Sequence, residues 1–562
     1  MQHFNTILQK YGPVASGLAL LLALCLSACA PDRQAESPKP PNIVFLFSDE
    51  LQMEDIGCYG GTYPTPNIDR LAAEGMRFTQ AFTVASMCTP SRYALLSGQY
   101  PGRCTHPDFR KDNPVSQPYN IAWNTFFDST AMTLPRMLAQ QGYFTGMAGK
   151  WHLGPHLEEA SQSIAGIRDL DSPEADERLR RHQAEVAKRV QADAGYEAAN
   201  SVMYTNFDGF PVPALQYHHF PWMTAGAMEF LEKAESAGRP FFLMLTPTAL
   251  HGPHHGAGLT RDYAYTPEGK RPEVAAYNLD IEKLADRIGA LSSPRAHRRA
   301  GLAFLDHQVG LVLKQLEAMG VEEETLVVFV PDHNTEPAKA TCYEKGIHIP
   351  MIVRWPGQVP AGSVTDARVQ ITDWFATLSE ITGASLSTAD SRSFLPVLNN
   401  PEAEGRTYTF ASAGYTRSVS DGRFKYIALR YPDTLLHQMA SGDLDYAPNY
   451  LGRYRQGQSI IAAKFYPGYF QADQLYDLES DPHEQYNLAG QPAYTEQLQS
   501  LREVLGAHLA TFDHPFSLDP QPFLSKPAFK RLTAVTRQLE PESIEWYKRD
   551  WGQIEWPPPV QH

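Results

Sequence analysis

Four short runs of apolar residues divide the first two thirds of the chain. They span residues 42–47, 143–148, 241–245 and 326–330. An unbroken apolar run of this length is typical of a strand that is buried on both faces of a parallel sheet. Stretches between the runs, such as 222–237 and 299–319, predict helices that cover the sheet. The pattern predicts an α/β/α sandwich around a large mixed, mostly parallel sheet.

Charged and histidine residues follow each predicted strand. In chain order they are Asp49 and Glu50, Lys150 and His152, His251, and Asp332 and His333. Ligand sites in open α/β sheets lie outside the carboxyl ends of the strands, so these residues predict one composite site. Adjacent carboxylates repel each other unless a cation lies between them, although an isolated acidic pair more often begins a solvated loop.

Histidines are concentrated in residues 251–255, at the end of the third run. Three histidines in five residues suggest a metal-binding tract in general. We prefer the interpretation that one of them, His251, acts on a substrate.

A cysteine precedes a proline and an arginine in residues 88–92, Cys-Thr-Pro-Ser-Arg. A proline just before a small and apolar run is typical of the first turn of a helix. Cys88 would then lie at a helix N-terminus with Arg92 nearby, which favours anions. Most free cysteines are simply buried as small hydrophobic residues, and this is the alternative for Cys88.

The cysteine segment, continued through residues 94–101, resembles the signature of the type I sulfatases, whose cysteine is converted to Cα-formylglycine. Residues 149–152 (Gly-Lys-Trp-His), the pair at 332–333 and the loop at 339–346 resemble further blocks of this family, so that the resemblance covers roughly residues 41–490. Two positions depart from the family pattern. Glu50 stands where a second aspartate is usual, and His348 where arginine is common.

The resemblance implies an alkaline-phosphatase-like fold and a set of site residues. The expected metal ligands are Asp49, Glu50, modified Cys88, Asp332 and His333. The expected catalytic residues are Cys88, Arg92, Lys150, His152, His251 and Lys339. Mostly oxygen ligands favour a hard ion, and many charged protein ligands favour Ca²⁺ over Mg²⁺.

The same resemblance assigns roles in sulfate ester hydrolysis. The hydrated aldehyde of residue 88 would attack sulfur, and Arg92 and Lys150 would stabilise its ionised form. His251, assisted by Lys339, would protonate the leaving oxygen. The sulfate oxygens would be bound by Lys150, Lys339 and His251. His152 would then take the second hydroxyl proton, which expels sulfate and restores the aldehyde.

Three other functions remain open from the sequence. A phosphate or phosphonate ester hydrolase of the same superfamily would share the metal ligands, and fold alone does not separate it. A lipoprotein that binds sulfated glycans without catalysis would not need a modifiable cysteine. A cysteine-histidine hydrolase would need a free thiolate at Cys88 and no metal.

Charge and cysteine usage limit the partners and the compartment. The 562-residue chain has a net charge of −15, which argues against nucleic acid because phosphate binding needs a basic face. A local cluster of cations can still bind a small anion. Of six cysteines, Cys25 would be removed with the N-terminal signal described next, Cys29 would be lipidated, and Cys88 would be modified as the resemblance implies. At most one disulfide could then form among Cys58, Cys104 and Cys342.

The N-terminal segment has the pattern of an export signal. Lys10 precedes an apolar run that ends Leu-Ser-Ala-Cys at residue 29, which looks like a bacterial lipobox. We expect residues 1–29 to be a lipoprotein signal peptide, with Cys29 lipidated and residues 30–40 a proline-rich tether. The alternative is an ordinary cleaved signal. Lipidation would place the protein in the bacterial cell envelope, attached to the membrane through the N-terminal lipid only.

Residues 41–400 are expected to form the catalytic domain. Within it, 157–199 is a charged, helix-prone insertion that would be either a solvated surface helix or a wall of the substrate pocket. Residues 401–515 predict a C-terminal subdomain of antiparallel sheet and helix, with a hairpin turn at Asp421-Gly422 and Leu498, Leu501, Leu505 and Leu509 on one helix face. The tail, 516–562, holds tryptophans that could stack on sugars but more often pack on the body.

A sulfated carbohydrate, either a polysaccharide or its oligosaccharides, is the expected substrate, ahead of small aryl or alkyl sulfates. Export outside the cytoplasm suits such scavenging. A formylglycine-generating maturation enzyme is the implied partner. The candidate substrate-binding residues are Arg103, His106, Arg110, His218 and His219.

Overall fold

The computed structural model describes residues 40–155, 157–253, 255–259, 261–280, 284, 294–335, 337–432 and 462–519. The predicted signal peptide with Cys29, the tether up to residue 39 and the tail from residue 520 onward lie outside the described residues.

Strands and helices alternate through most of the described chain. The strands are β1 (Asn42–Ser48), β2 (Met76–Phe82), β3 (Phe144–Lys150), β4 (Ala198–Met203), β5 (Phe241–Thr246), β6 (Tyr265–Thr266), β7 (Gly269–Lys270), β8 (Thr325–Pro331), β9 (His348–Arg354), β10 (Ser363–Thr365), β11 (Val369–Gln370), β12 (Thr409–Ala413), β13 (Thr416–Ser420), β14 (Phe424–Leu429) and β15 (Asp473–Asp477). The α-helices are α1 (Pro66–Glu74), α2 (Cys88–Ser97), α3 (Pro107–Asp112), α4 (Leu134–Gln140), α5 (Glu158–Ile164), α6 (Pro173–Ala194), α7 (Phe220–Ala237), α8 (Pro294–Ala318), α9 (Glu344–Ile347), α10 (Asp373–Thr382), α11 (Leu395–Asn399), α12 (Ala462–Phe465) and α13 (Thr495–Leu509). Short 3₁₀ helices cover Met53–Asp55, Gly57–Tyr59, Pro101–Arg103, Phe207–Gly209, Pro213–Leu215, His255–Gly258, Pro272–Tyr277, Glu322–Glu324 and Pro492–Tyr494.

The large sheet has the strand order β10-β2-β9-β8-β1-β5-β3-β4, and β11 also pairs with β2. Its pairs are parallel except for those of β9, which runs antiparallel to both β8 and β2. The four strands predicted from apolar runs lie side by side as β8, β1, β5 and β3. The predicted mixed, mostly parallel sheet is therefore confirmed.

Helices cover both faces of this sheet. Ile43, Phe45 and Phe47 of β1 belong to one hydrophobic cluster, together with residues of α2, α4 and α10. The alternate residues Val44 and Leu46 belong to a second cluster, with residues of α1, α7 and α8. Because successive side chains of a strand point to opposite faces, the two clusters are the two halves of an α/β/α sandwich.

A second sheet follows the sandwich in the chain. Its strands are antiparallel in the order β12-β13-β14-β15, and Gly422 adopts a φ of 102° in the predicted turn between β13 and β14. Leu501, Leu505 and Leu509 of α13 pack on the face formed by residues such as Val419 and Tyr426. The expected subdomain of antiparallel sheet and helix is present. A small ribbon also joins β6 and β7.

The charged segment after β3 packs more deeply than a solvated helix would. In α6, Leu179, Val186 and Val190 are buried in the two main clusters. Gln183 donates a hydrogen bond to the carbonyl of Val202 in the edge strand β4 at 3.1 Å. The helix therefore covers the edge of the sheet, next to the site described below.

Candidate active site

The carboxyl ends of β8, β1, β5 and β3 bring most of the predicted site residues together. Asp332 follows β8, Asp49 follows β1, and Lys150 ends β3. The backbone N–H of Asp332 donates to the carbonyl of Ser48 at 3.0 Å, and that of Asp49 donates to Ala249 at 2.7 Å. Neighbouring strand ends are thus fixed to one another, as expected for a site on a parallel sheet.

Cys88 enters this edge as the first residue of α2. Its Sγ lies 3.3 Å from Nε2 of His333 and 3.7 Å from Oδ1 of Asp49. The Ser91 hydroxyl, one turn further on, donates to the carbonyl of Asp332. The proline in the first turn therefore begins a helix, as predicted, and this helix is attached directly to the end of β8.

Four side chains converge with the geometry of a metal site. One ligand atom each from Asp49, Cys88, Asp332 and His333 lies within 4.8 Å of the others, and all four residues are buried. Nδ1 of His333 lies 2.6 Å from the carbonyl of Asn334, which can only accept, so Nδ1 carries the hydrogen and Nε2 presents its lone pair. Two carboxylates and such an imidazole fit a divalent cation.

Two buried cations neutralise these carboxylates. Arg92 donates from Nε to Asp332 at 3.0 Å and from Nη1 to the carbonyl of Lys150 at 2.9 Å. Nζ of Lys150 donates to Asp49. Burial alone raises the pKa of Asp49, but attraction to Lys150 and other nearby cations outweighs it and holds that pKa well below its ordinary value. Asp49 is therefore ionised at neutral pH.

The surroundings of Cys88 favour the neutral form of its thiol. Burial raises its pKa, and the negative charge of Asp49 raises it further. Cys88 is 1% exposed, which keeps bulk water from stabilising a thiolate. Thiolates are the reactive species, so this environment argues against a cysteine-histidine hydrolase.

His152 has the environment of a base. Burial, followed by the positive charge of Lys150, lowers its pKa well below the ordinary value, so the ring is neutral at pH 7. Its backbone N–H donates to the carbonyl of Tyr204 at 3.0 Å. Among the described residues, Nδ1 has no hydrogen-bond partner. A neutral imidazole with a free nitrogen can accept a proton.

His251 directs Nε2 into the site. Its Nδ1 lies 2.9 Å from the carbonyl of Gly252, so Nδ1 carries the hydrogen of the neutral ring. Nε2 lies 3.3 Å from the amide nitrogen of Asn206 and 3.5 Å from Oε1 of Glu50. Asn206 was not predicted. It follows β4, whose sequence contains polar and small residues and lacks the apolar run that marked the other strands.

Glu50, a predicted metal ligand, is paired with a lysine in this structure. It lies outside the group of four potential ligands, and its carboxylate instead accepts from Nζ of Lys339. The backbone of Glu50 has a φ of 54°, a left-handed conformation that is uncommon for glutamate. Lys339 does reach the site as predicted, but through this ion pair.

The loop that carries Lys339 is supported from two sides. The backbone N–H groups of Ala340 and Thr341 donate to the carbonyl and the hydroxyl of Ser86, at 3.0 and 2.8 Å. On the other side, the ring of Tyr343 stacks on Tyr466 with centroids 3.7 Å apart. The loop is thus fixed both to the cysteine segment and to the C-terminal part of the chain.

Charged residues on the second sheet extend this support. Glu344 of the same loop begins α9, and its Oε1 lies 3.0 Å from Nζ of Lys425 in β14. Nζ of Lys425 also lies 3.0 Å from Oε1 of Glu484. The Lys425 side chain is 1% exposed, so both ion pairs are shielded from water.

Three of the five predicted substrate-binding residues make contacts within the protein. Arg103 donates to Asp390 at 2.7 Å and to the carbonyl of Thr511 at 2.8 Å. His218 and His219 are buried, and burial lowers their pKa values to about 4 and about 3. The sequence suggested that these two histidines bind substrate, but in the structure they are neutral and lie in the core.

The other two remain accessible. His106 is half-buried and caps α3 by accepting from the backbone N–H of Asp108 at 3.2 Å. Arg110 is exposed on the same helix. Both stay candidates for contact with a substrate.

Comparison with known proteins agrees with this geometry. Residues 41–384 match the Sulfatase family, and the chain belongs to that family of sulfuric ester hydrolases. Human arylsulfatase A is 29% identical over 503 residues, which cover 83% of this chain and 87% of the relative. An N-acetylgalactosamine-6-O-sulfatase from Bacteroides thetaiotaomicron is 25% identical over 569 residues, covering 88% of this chain and 97% of the relative.

A solved structure has the same fold. A solved structure from the glycosaminoglycan metabolism of Bacteroides thetaiotaomicron superimposes with a TM-score of 0.58 at 21% identity, and the match covers 84% of this chain and all of that one, 100%. The architecture is therefore alkaline-phosphatase-like, as the sequence resemblance implied.

Proposed function

We propose that this sulfatase removes sulfate from a sulfated carbohydrate and uses a formylglycine made from Cys88. The observation that carries the proposal is the convergence of Cys88 with Asp49, Asp332 and His333, beside the buried cation Lys150. A carbohydrate-binding protein without catalysis would not need a modifiable cysteine in a buried group of metal ligands.

Asp49, residue 88, Asp332 and His333 would hold one divalent cation. We favour Ca²⁺ over Mg²⁺ because most ligands are protein groups and few positions are left for water. The cation supplies positive charge for the reacting oxygens, and the hydrated formylglycine supplies the nucleophilic hydroxyl.

The remaining groups bind sulfate and move protons. Lys150 and Lys339 provide positive charge for the sulfate oxygens, and Arg92 fixes the carboxylates beside residue 88. Nε2 of His251 would first take up a proton on its lone pair, next to Oε1 of Glu50 at 3.5 Å, and the charged ring would then give this proton to the leaving oxygen. His152, which is neutral, would take a proton from the side chain of residue 88.

Relatives that act on sugars support a carbohydrate substrate. The bacterial relative is an N-acetylgalactosamine-6-O-sulfatase. Among the predicted substrate-binding residues, His106 and Arg110 at α3 are the accessible candidates for contacts to further sulfate or hydroxyl groups. One sulfate ester of the sugar would have to reach the edge of the sheet where His251 and Cys88 lie.

Export and lipidation at Cys29 complete the proposal. Among the described residues, none of the helices is long and apolar enough to cross a membrane. We propose that attachment to the membrane is through the lipid at Cys29, and conversion of Cys88 would require a formylglycine-generating enzyme in the host cell.

Peptide mass spectrometry of the mature protein tests the modification. Trypsin should release residues 78–92, and conversion of the thiol to an aldehyde lowers the mass of this peptide. Peptides with Cys58, Cys104 and Cys342 are internal controls and should keep their thiols. Unmodified Cys88 in a protein that still hydrolyses sulfate esters would refute the formylglycine mechanism.

Rates on paired esters test the reaction class. We expect 4-nitrophenyl sulfate to be hydrolysed faster than 4-nitrophenyl phosphate, and a panel of sulfated oligosaccharides to identify the sugar. A preference for the phosphate ester would instead identify a phosphoesterase of the same superfamily.

A further inference from the structure

The segment that carries His251 leaves β5 and forms a tight turn. The backbone N–H of His251 donates to the carbonyl of Thr248 at 3.0 Å. On its sheet side the segment is bonded to the end of β1: Asp49 donates to the carbonyl of Ala249 at 2.7 Å, and Leu250 donates back to the carbonyl of Asp49. One side of the turn is thus fixed by the metal-binding edge.

His218 bridges the two ends of this turn from the other side. Its Nε2 lies 2.7 Å from the carbonyl of Pro253, which can only accept, so Nε2 is the donor. Its Nδ1 lies 2.7 Å from the hydroxyl of Thr248 and accepts from it in the neutral ring. Both ring nitrogens are therefore used to tie Thr248 to Pro253, with His251 between them.

The ring of His218 is itself held firmly. It is 1% exposed and lies parallel to the rings of Phe220 and His255, with centroids 5.0 and 4.4 Å away. Gln308 of α8 donates to the carbonyl of Phe220 at 3.2 Å. Burial lowers the pKa of His218 to about 4, so the neutral tautomer that makes both bonds persists at neutral pH.

We propose that His218 is a positioning residue, which holds the 248–253 turn so that Nε2 of His251 faces the leaving oxygen of the substrate. The inference rests on the proposed role of His251 as the proton donor. A displacement of about 1 Å in such a group is enough to reduce a rate strongly. The effect should appear only where the leaving oxygen needs a proton.

Two sulfate esters with different leaving groups test the positioning role of His218. Nitrophenolate leaves 4-nitrophenyl sulfate without a proton, whereas the oxygen of phenyl sulfate benefits from one. We expect His251→Ala to lower kcat/KM for phenyl sulfate by about a hundredfold and for 4-nitrophenyl sulfate much less. Thr248→Val and His218→Phe should show the same selectivity at about tenfold, and His218→Gln, whose amide can donate to Pro253, should restore part of the loss.

Thr377→Val is the matched control. Thr377 is as buried as Thr248, and its hydroxyl donates to the carbonyl of Asp373 at 2.8 Å within α10, away from the turn. We expect it to affect both esters equally. If His218→Phe does not fold, Thr248→Val alone tests the positioning role of His218.

The outcomes separate the two proposals. Equal losses on both esters in His251→Ala would refute the proton-donor role of His251, and with it the inference. Selective loss in His251→Ala, combined with equal or no losses in Thr248→Val and His218→Phe, would refute the positioning role of His218 alone.

Discussion

Oε1 of Glu50 accepts a hydrogen bond from Lys339 and lies 3.5 Å from Nε2 of His251. One carboxylate oxygen thus contacts both groups that are proposed to act near the leaving oxygen. An aspartate at this position would be shorter by one methylene group. The sequence suggested Glu50 as a metal ligand, and in this structure its carboxylate pairs with the lysine and lies near the histidine.

Glu50→Gln should separate catalysis from metal binding. We expect kcat/KM to fall by about tenfold, because Lys339 and His251 lose a shared negative charge, while the calcium affinity of the mature protein stays nearly unchanged. Asp49→Asn is the comparison and should weaken calcium binding by about tenfold or more, since ligand charge sets affinity. Isothermal titration calorimetry measures both, and equal losses of affinity would make Glu50 a ligand.

Removal of the metal should destabilise the mature protein. Asp49 and Asp332 are both buried and close together, so a bound cation stabilises the folded state over the unfolded one. Ca²⁺ at 100 times its Kd should add about 2.7 kcal/mol to the free energy of unfolding. Thermal unfolding with a chelator, then with Ca²⁺ or Mg²⁺ restored, measures this, and an unchanged Tm would argue against the site.

Lys425→Met should be strongly destabilising. It leaves Glu344 and Glu484 without their buried cation, which costs about 3–5 kcal/mol in comparable cases. Arg423 directly precedes β14, the strand of Lys425, and forms an exposed ion pair with Asp477. Arg423→Ala removes this pair and should leave the free energy of unfolding unchanged within error. Urea unfolding compares the two variants. A small effect of Lys425→Met would show that the carboxylates are solvated or protonated.

His219 should make stability depend on pH. Its pKa falls from 6.5 to about 3 on folding because the ring is buried. The unfolded state therefore binds more protons below pH 6.5, and stability is lost as the pH falls. Relative to His219→Gln, the wild type should lose about 2–3 kcal/mol between pH 6.5 and about 4.5. Parallel pH profiles of the two proteins would contradict this.

The sequence predicted the parts of the molecule that depend on local pattern. Strands β8, β1, β5 and β3 are buried on both faces, so each appears as a continuous apolar run, and their reactive residues meet because parallel strands share one carboxyl edge. The Cys88 segment was recognisable because its motif is contiguous.

The parts that the sequence did not reveal depend on contacts between distant residues. His218 and His219 look like any histidine pair in the sequence, and only the packing of α7 against α8 shows that they are buried. Glu50 follows Asp49 directly, but its partner Lys339 lies 289 positions away in the chain. Asn206 follows a strand that has no apolar run to reveal it.

The stacking of Tyr343 on Tyr466 bears on how this enzyme can be engineered. The ring pair, with the ion pair between Glu344 and Lys425, attaches the lysine loop to residues more than eighty positions downstream. A chimera that joins this catalytic half to the C-terminal half of a relative would replace that support. The loop that carries Lys339 should therefore be exchanged together with the C-terminal half. Alternatively, the aromatic pair and its neighbouring charges should be transplanted as one unit.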